Sequence, residues 1–234
     1  MKKLKKWIDE IRAESKEYAA GSWMCRYSGD TAEFIVHPHV VYHPDRFKHT
    51  VIRIGMILTR LSKQMEEAGY IFHVQTFPSL EDLKIVASIR LNVNLSQGNQ
   101  TSIRNSNGTR NPDAAEAEKP RYSAGYLKKR AQHHRLKMVP VTNTDELPQF
   151  SNASDSGSKW YLIGSSHDNP FNWLHVGFFA EELLLALGLA DPANTTQIIS
   201  GPELSDVKGK LEASNEPAHI HACIAFNEEL EELH

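Results

Sequence analysis

Hydrophobic positions recur along the chain in several registers, and each predicts a different element. Near the start, Leu4, Trp7, Ile8 and Ile11 fall at i, i+3, i+4 and i+7 among lysines and carboxylates, the spacing of an amphipathic docking helix. A second stripe, Ile54, Ile57, Leu58, Leu61 and Met65, predicts a helix over 50–68 that stops at Gly69 and exposes Arg53, Arg60, Lys63 and Glu66. The segment SSHDNPFNWLHVGFFAEELLLALGLADP is different, because it is apolar on nearly every face and so must be covered on nearly every face. Asn169 supplies its N-cap, Pro170 its first helical position and Gly188 its stop before Asp191-Pro192. The adjacent carboxylates Glu181 and Glu182 argue against a membrane span and are expected to mark the helix's one wet edge.

Shorter β-branched and aromatic runs predict strands. AEFIV and VVYH flank His37-Pro38-His39 and suggest a hairpin, with Pro38 confined to an edge or a turn. YIFHVQTF and IVASIRLNVNL read as two strands around the polar connection PSLEDLK, and LKMVPV, KWYLIG and HIHACIAF as three more. Short helices are expected in the basic AGYLKKRAQHHR and around LSDVKGKLE. Between 96 and 122 the pattern stops: one Ile is the only large aliphatic residue, too little burial to offset the entropy of ordering, so a mobile connection is expected. The chain therefore divides into a first half over 1–95, a polar linker over 96–122 and a second half over 123–234. No repeat is visible by identity, yet each half holds an apolar helix followed by β-segments.

Composition narrows the function. With 234 residues, 40% of them hydrophobic, the chain has ample material for a core. A net charge of −3 gives no electrostatic case for nucleic acid. Two cysteines, Cys25 and Cys223, are too few for a disulfide framework, and reduced thiols in the cytoplasm are the expectation.

Side-chain chemistry offers few signatures. Twelve histidines include the His-x-His pairs His37/His39 and His219/His221. On a strand each pair shares a face, where it either presents two imidazoles to a metal, with His43 or Asp45 as a third ligand, or is simply solvated. There is no Gly-x-Ser-x-Gly elbow for Ser-His-Asp catalysis, no Gly-x-Gly-x-x-Gly and no phosphate loop. Cys223 falls in a core strand, where cysteine acts as a small hydrophobe. Glu181 and Glu182, as neighbours on a helix, point about 100° apart and do not converge on a substrate.

Two stretches carry a family likeness. TVIRIGMILTRLSKQMEEAGYIFHVQTFPSLEDLKIVASIRL and SSHDNPFNWLHVGFFAEELLLALGLA, with SIRNSNGTRNP and YLKKRAQHHRLKMVPV between them, resemble in order the Acg-type, dormancy-associated actinobacterial branch of the flavin nitroreductase superfamily. The resemblance covers about two thirds of the chain and rests mostly on hydrophobic pattern. It implies an α+β, nitroreductase-like fold: a central antiparallel sheet wrapped by helices around a buried central helix, with an abbreviated second half that favours a homodimer. It also implies FMN as cofactor, NAD(P)H as reductant and a small aromatic acceptor, with the isoalloxazine rather than a side chain carrying the chemistry. By the same resemblance Arg104 and Arg110 are the candidate flavin-phosphate residues, since a guanidinium fork suits phosphate. The chain also departs from the pattern: Cys25–Ala32 stands where the family has a Ser-x-His-Asn-Thr-Gln-Pro-Trp loop, and HACIAF lacks the terminal Arg and Gly. An alternative reading follows, a flavin-sequestering or structural protein that keeps the scaffold without turnover.

Overall fold

Four of the predicted helices form among the described residues. The computed structural model describes residues 2–14, 21–91, 124–141, 158–190, 197–200 and 218–227. Helix α1 (Lys2–Glu14) buries Leu4, Ile8 and Ile11 completely and sets Trp7 edge-on against Tyr70, so its apolar stripe is consumed by the core. A short helix, α2 (Pro38–Val41), precedes α3 (Pro44–Glu67), and each opens on a His-Pro step whose proline occupies the first turn. Helix α3 buries all five residues of the predicted stripe. It ends at Gly69, whose φ of 73° lets the Tyr70 amide reach back to the Met65 carbonyl at 2.9 Å. Helix α4 (Ala124–His133) follows in the second half, and α5 (Pro170–Ala190) is the apolar helix. The Asn169 side chain accepts the Asn172 amide at 3.0 Å, as an N-cap should. Asn169→Ala is expected to cost about 1 kcal/mol, read as a fall of a few degrees in melting temperature.

The strands make two separate four-stranded antiparallel sheets. Strands β1 (Trp23–Ser28), β2 (Thr31–Val36), β3 (Phe72–Thr76) and β4 (Ile85–Leu91) assemble in the order β1-β2-β4-β3. Strands β5 (Lys137–Pro140), β6 (Ser158–Ser165), β7 (Gln197–Ser200) and β8 (His219–Asn227) assemble as β5-β6-β8-β7. The two orders are the same. Each half thus runs helix, hairpin, long helix, hairpin, with α2 as an addition in the first. The likeness extends to an irregularity. Between β2 and β4 the register shifts so that Val86 is an extra residue, and between β6 and β8 it shifts so that His221 is.

The halves meet where α3 crosses α5, and the crossing is closed by two glycines. A Cβ on Gly55 would stand 2.5 Å from the Leu174 carbonyl oxygen, and one on Gly177 would stand 2.0 Å from that of Ile52. Ile52 lies three residues before Gly55, and Leu174 three before Gly177, so the contact repeats itself about a pseudo-twofold axis. Only a residue without a side chain permits two helix backbones to approach so closely. Side chains are exchanged across the seam as well. Leu174 and Ala180 of α5 pack into the first core with Phe34, Ile54 and Leu61, while Ile52 of α3 packs into the second with Phe179, Ile163 and Leu183.

Several expectations need correction. The segment VVYH is not a strand: its first residues form α2, and the hairpin partner of β2 is β1, joined through Gly29 at φ 55°. Helix α3 starts at Pro44 rather than near Thr50, because the Pro44 ring is preset for the first helical turn. Helix α5 runs past Gly188 to Ala190. Glu181 is no wet edge. It is fully buried and forms an ion pair at 2.7 Å with Arg60, which is itself only about a quarter exposed. The coarse class is as expected, α+β with antiparallel sheets, and from Asn172 to Ala186 the central helix exposes no residue. Among the described residues no helix is long and apolar enough to cross a membrane. The linker and the helix expected around LSDVKGKLE lie outside the described residues.

Candidate functional site

The seam between the halves opens into a cleft of about 720 Å³, within the ~300–1,000 Å³ common for small-molecule sites. One wall is the C-terminal half of α3, with Leu58, Thr59, Ser62, Lys63 and Glu66, joined by Val74 and Thr76 of the edge strand β3. The other is α4, with Tyr126, Leu127, Arg130 and His134. Phe178, Phe179, Glu182 and Leu183 of α5 form the floor. Apolar side chains make up much of the lining, with Glu182 among them in the floor and hydroxyl and charged groups on both walls. This arrangement suits a flat, largely aromatic ligand with a polar appendage.

The charges in the cleft are largely organised by Glu182. Arg130 donates to its carboxylate, and His134 Nε2 lies 3.2 Å from the same oxygen. Burial alone would raise Glu182, yet the hydrogen bonds from His134 and Arg130 hold it below the ordinary glutamate value. His175, close behind His134 at 3.5 Å between Nδ1 atoms, is held below the usual histidine value by burial and by the neighbouring His134 and Arg135. Thus α5 sends its two adjacent carboxylates in different directions, Glu181 to α3 and Glu182 to α4, as the 100° step requires. Lys63 forms no ion pair among the described residues and is the cation open to an incoming anion. Arg104 and Arg110, the phosphate candidates, lie outside the described residues.

A second constellation lies at the entrance to α5. Ser165 ends β6 fully buried, and its Oγ stands 2.7 Å from His221 Nε2 on β8. The other imidazole nitrogen, Nδ1, is 3.7 Å from Asp168, an ion-pair distance. Asp168 also accepts the Lys48 ammonium at 3.0 Å and the Trp173 indole N–H. Ser, His and Asp are therefore brought together after all, although the sequence holds no nucleophile elbow. They are not a hydrolytic triad. Ser165 is 1% exposed, and its one hydroxyl hydrogen is given to the His167 carbonyl at 2.7 Å, so it has neither access to a substrate nor a proton to pass to His221.

The remaining sequence candidates separate. His37 and His39 stack at 5.5 Å around the start of α2 rather than sharing a strand face. His219 and His221 straddle the β8 bulge, which breaks their alternation. Among the described residues no group of three or more His, Cys, Asp or Glu could hold a metal. Burial pushes the thiols up, Cys25 to about 11 and Cys223 to about 12, so both stay protonated and unreactive near neutrality. The chain matches no protein-family model and no curated protein.

Proposed function

We propose that the cleft between the halves is a flavin site, and that the protein is a nitroreductase-type oxidoreductase using FMN and NAD(P)H on a small aromatic acceptor. What supports the reading is the cleft itself: about 720 Å³, apolar, and walled by equivalent elements of two halves with the same topology. Leu58, Phe179 and Leu183 would hold the ring system, the Thr59 and Ser62 hydroxyls would meet its polar rim, and Lys63 would face the phosphate. Bound FMN supplies hydride transfer from the nicotinamide to the acceptor. The chain's part is to position the ring, exclude water along α5 and keep Glu182 ionised beside Arg130. Both walls named above come from this chain, and α3 packs along α5. The homodimer favoured from the abbreviated second half is part of the same proposal.

A second reading, flavin binding without turnover, is favoured by one observation: Arg130, the arginine lining the cleft, is already held by Glu182. Titrating FMN while following its fluorescence tests both readings. Saturable quenching in the micromolar range is expected. Ser62→Trp and Ala186→Trp, each placing an indole in the cleft, should weaken it at least tenfold while leaving the melting temperature within a few degrees. Undiminished binding by both variants, or unchanged emission at millimolar FMN, would remove the flavin site from consideration. FMN-dependent NAD(P)H oxidation by the loaded protein separates the enzyme from the sequestering scaffold.

A further inference from the structure

The floor of the cleft holds a carboxylate with one oxygen to spare. Arg130 and His134 both meet Oε2 of Glu182, and among the described residues Oε1 has no partner. Glu182 lines the cleft with 31% of its side chain exposed, and its carboxylate, ionised at neutral pH, can only accept. Beside it Arg130, 39% exposed, commits one amino group to Oε2 and has no second side-chain partner among the described residues. Its remaining N–H groups can only donate. The scaffold does not call for a carboxylate at this place. Glu182 follows Gly177 by five residues as Arg60 follows Gly55, so the equivalent position of the first half carries the opposite charge, and that charge is turned to Glu181.

An acceptor set beside a donor asks for a ligand with the complementary pair. We propose that Glu182 and Arg130 together read a ring edge that bears an N–H beside a carbonyl. On the flavin reading above, on which this rests, that edge is the imide of the isoalloxazine: N3–H donates to Glu182 Oε1 and a flanking carbonyl accepts from Arg130. The dimethylbenzene end, which has no polar atom, is left to Leu58, Phe178 and Leu183. A ring that carries acceptors alone, such as a quinone or a nitroarene, would turn lone pairs toward Glu182 and leave a desolvated carboxylate oxygen unpaired, which is costly for a charged group. The electron acceptor is thereby kept from this end of the cleft, and the same two side chains that hold the cofactor edge discriminate against the substrate there.

FMN and 3-methyl-FMN differ only at N3, where the methyl group replaces the hydrogen that Glu182 accepts. A site built to take a hydrogen bond from a ligand rejects the analogue that lacks the donor. Titrated into the full chain by flavin fluorescence, 3-methyl-FMN should bind wild type at least tenfold more weakly than FMN, and Glu182→Ala should bring the two within about threefold of each other. Bulk alone would also exclude a methyl group, so FMN labelled with ¹⁵N at N3 supplies a second readout. Its N3 resonance in the complex should move upfield in Glu182→Gln, which keeps the shape of the side chain and removes its charge. Equal affinity of wild type for the two flavins, or an N3 resonance unmoved by Glu182→Gln, overturns the proposal and leaves the flavin site standing. Emission of both flavins unchanged at millimolar concentration removes the flavin reading and this assignment with it.

Discussion

Gly177→Ala is expected to destabilise the protein by about 3 kcal/mol, a large part of the ~5–15 kcal/mol that holds a domain together. The added Cβ would lie 2.0 Å from the Ile52 carbonyl oxygen and 2.9 Å from Gly55 Cα, both backbone atoms that no rotamer change can move aside. The helices must therefore separate along their crossing. That movement loosens two cores at once, because Leu174, Ala180 and Ile52 are each seated in the opposite half. Alanine's better helix propensity returns about 1 kcal/mol, which is included in the net figure. Gly55→Ala, at 2.5 Å from the Leu174 oxygen, should follow in the same direction with a smaller effect. Gly21→Ala, with nothing within 4 Å of its Cβ and no positive φ, serves as the neutral control. Urea denaturation monitored by tryptophan fluorescence ranks the three. A Gly177→Ala midpoint equal to that of the wild type would mean the backbones are not in contact.

The second large effect is expected at Glu181. Its carboxylate is completely buried against Arg60, so Glu181→Leu leaves a largely enclosed guanidinium without the carboxylate it faces. Breaking a buried pair from one side costs ~3–5 kcal/mol, and the quarter exposure of Arg60 reduces this to about 2–3 kcal/mol. Arg60→Met combined with Glu181→Leu should recover most of the loss, since an apolar pair of similar volume has no charge to desolvate. A double-mutant cycle by chemical denaturation measures the coupling. Additive losses would show that the pair contributes nothing across the seam.

Much of the local architecture is legible in the sequence. The stripe from Ile54 to Met65 has a helical period and faces one core, so α3 can be read with its stop at Gly69, where a left-handed residue is required. Strand β1 was legible too, since Trp23, Cys25 and Tyr27 alternate with the more exposed Met24, Arg26 and Ser28. Aligning Cys25–Ala32 with a family loop set that alternation aside. The His-Pro steps before α2 and α3 carry a helix-start signal, which the hairpin reading of 32–43 overlooked. The site was less legible. The cleft joins residues of α3, β3, α4 and α5, and no spacing in the sequence announces such a grouping. The same holds for Ser165, His221 and Asp168, where Asp168 follows the end of β6 at Ser165 and His221 is 56 positions from Ser165.

By itself the sequence determined the long helices and most of the strands, and that the segment around Gly177 is too apolar to meet water, because period and capping are encoded in neighbouring residues. Tertiary structure decided that α3 supplies its cover, that two glycines set the closeness of the crossing, and that Glu181 is paired inside rather than wet outside. Those outcomes depend on contacts between residues far apart in the chain, Arg60 and Glu181 being 121 positions apart. Burial there is fixed by how two surfaces fit, and a hydrophobic pattern says only that a surface must be covered, never by what.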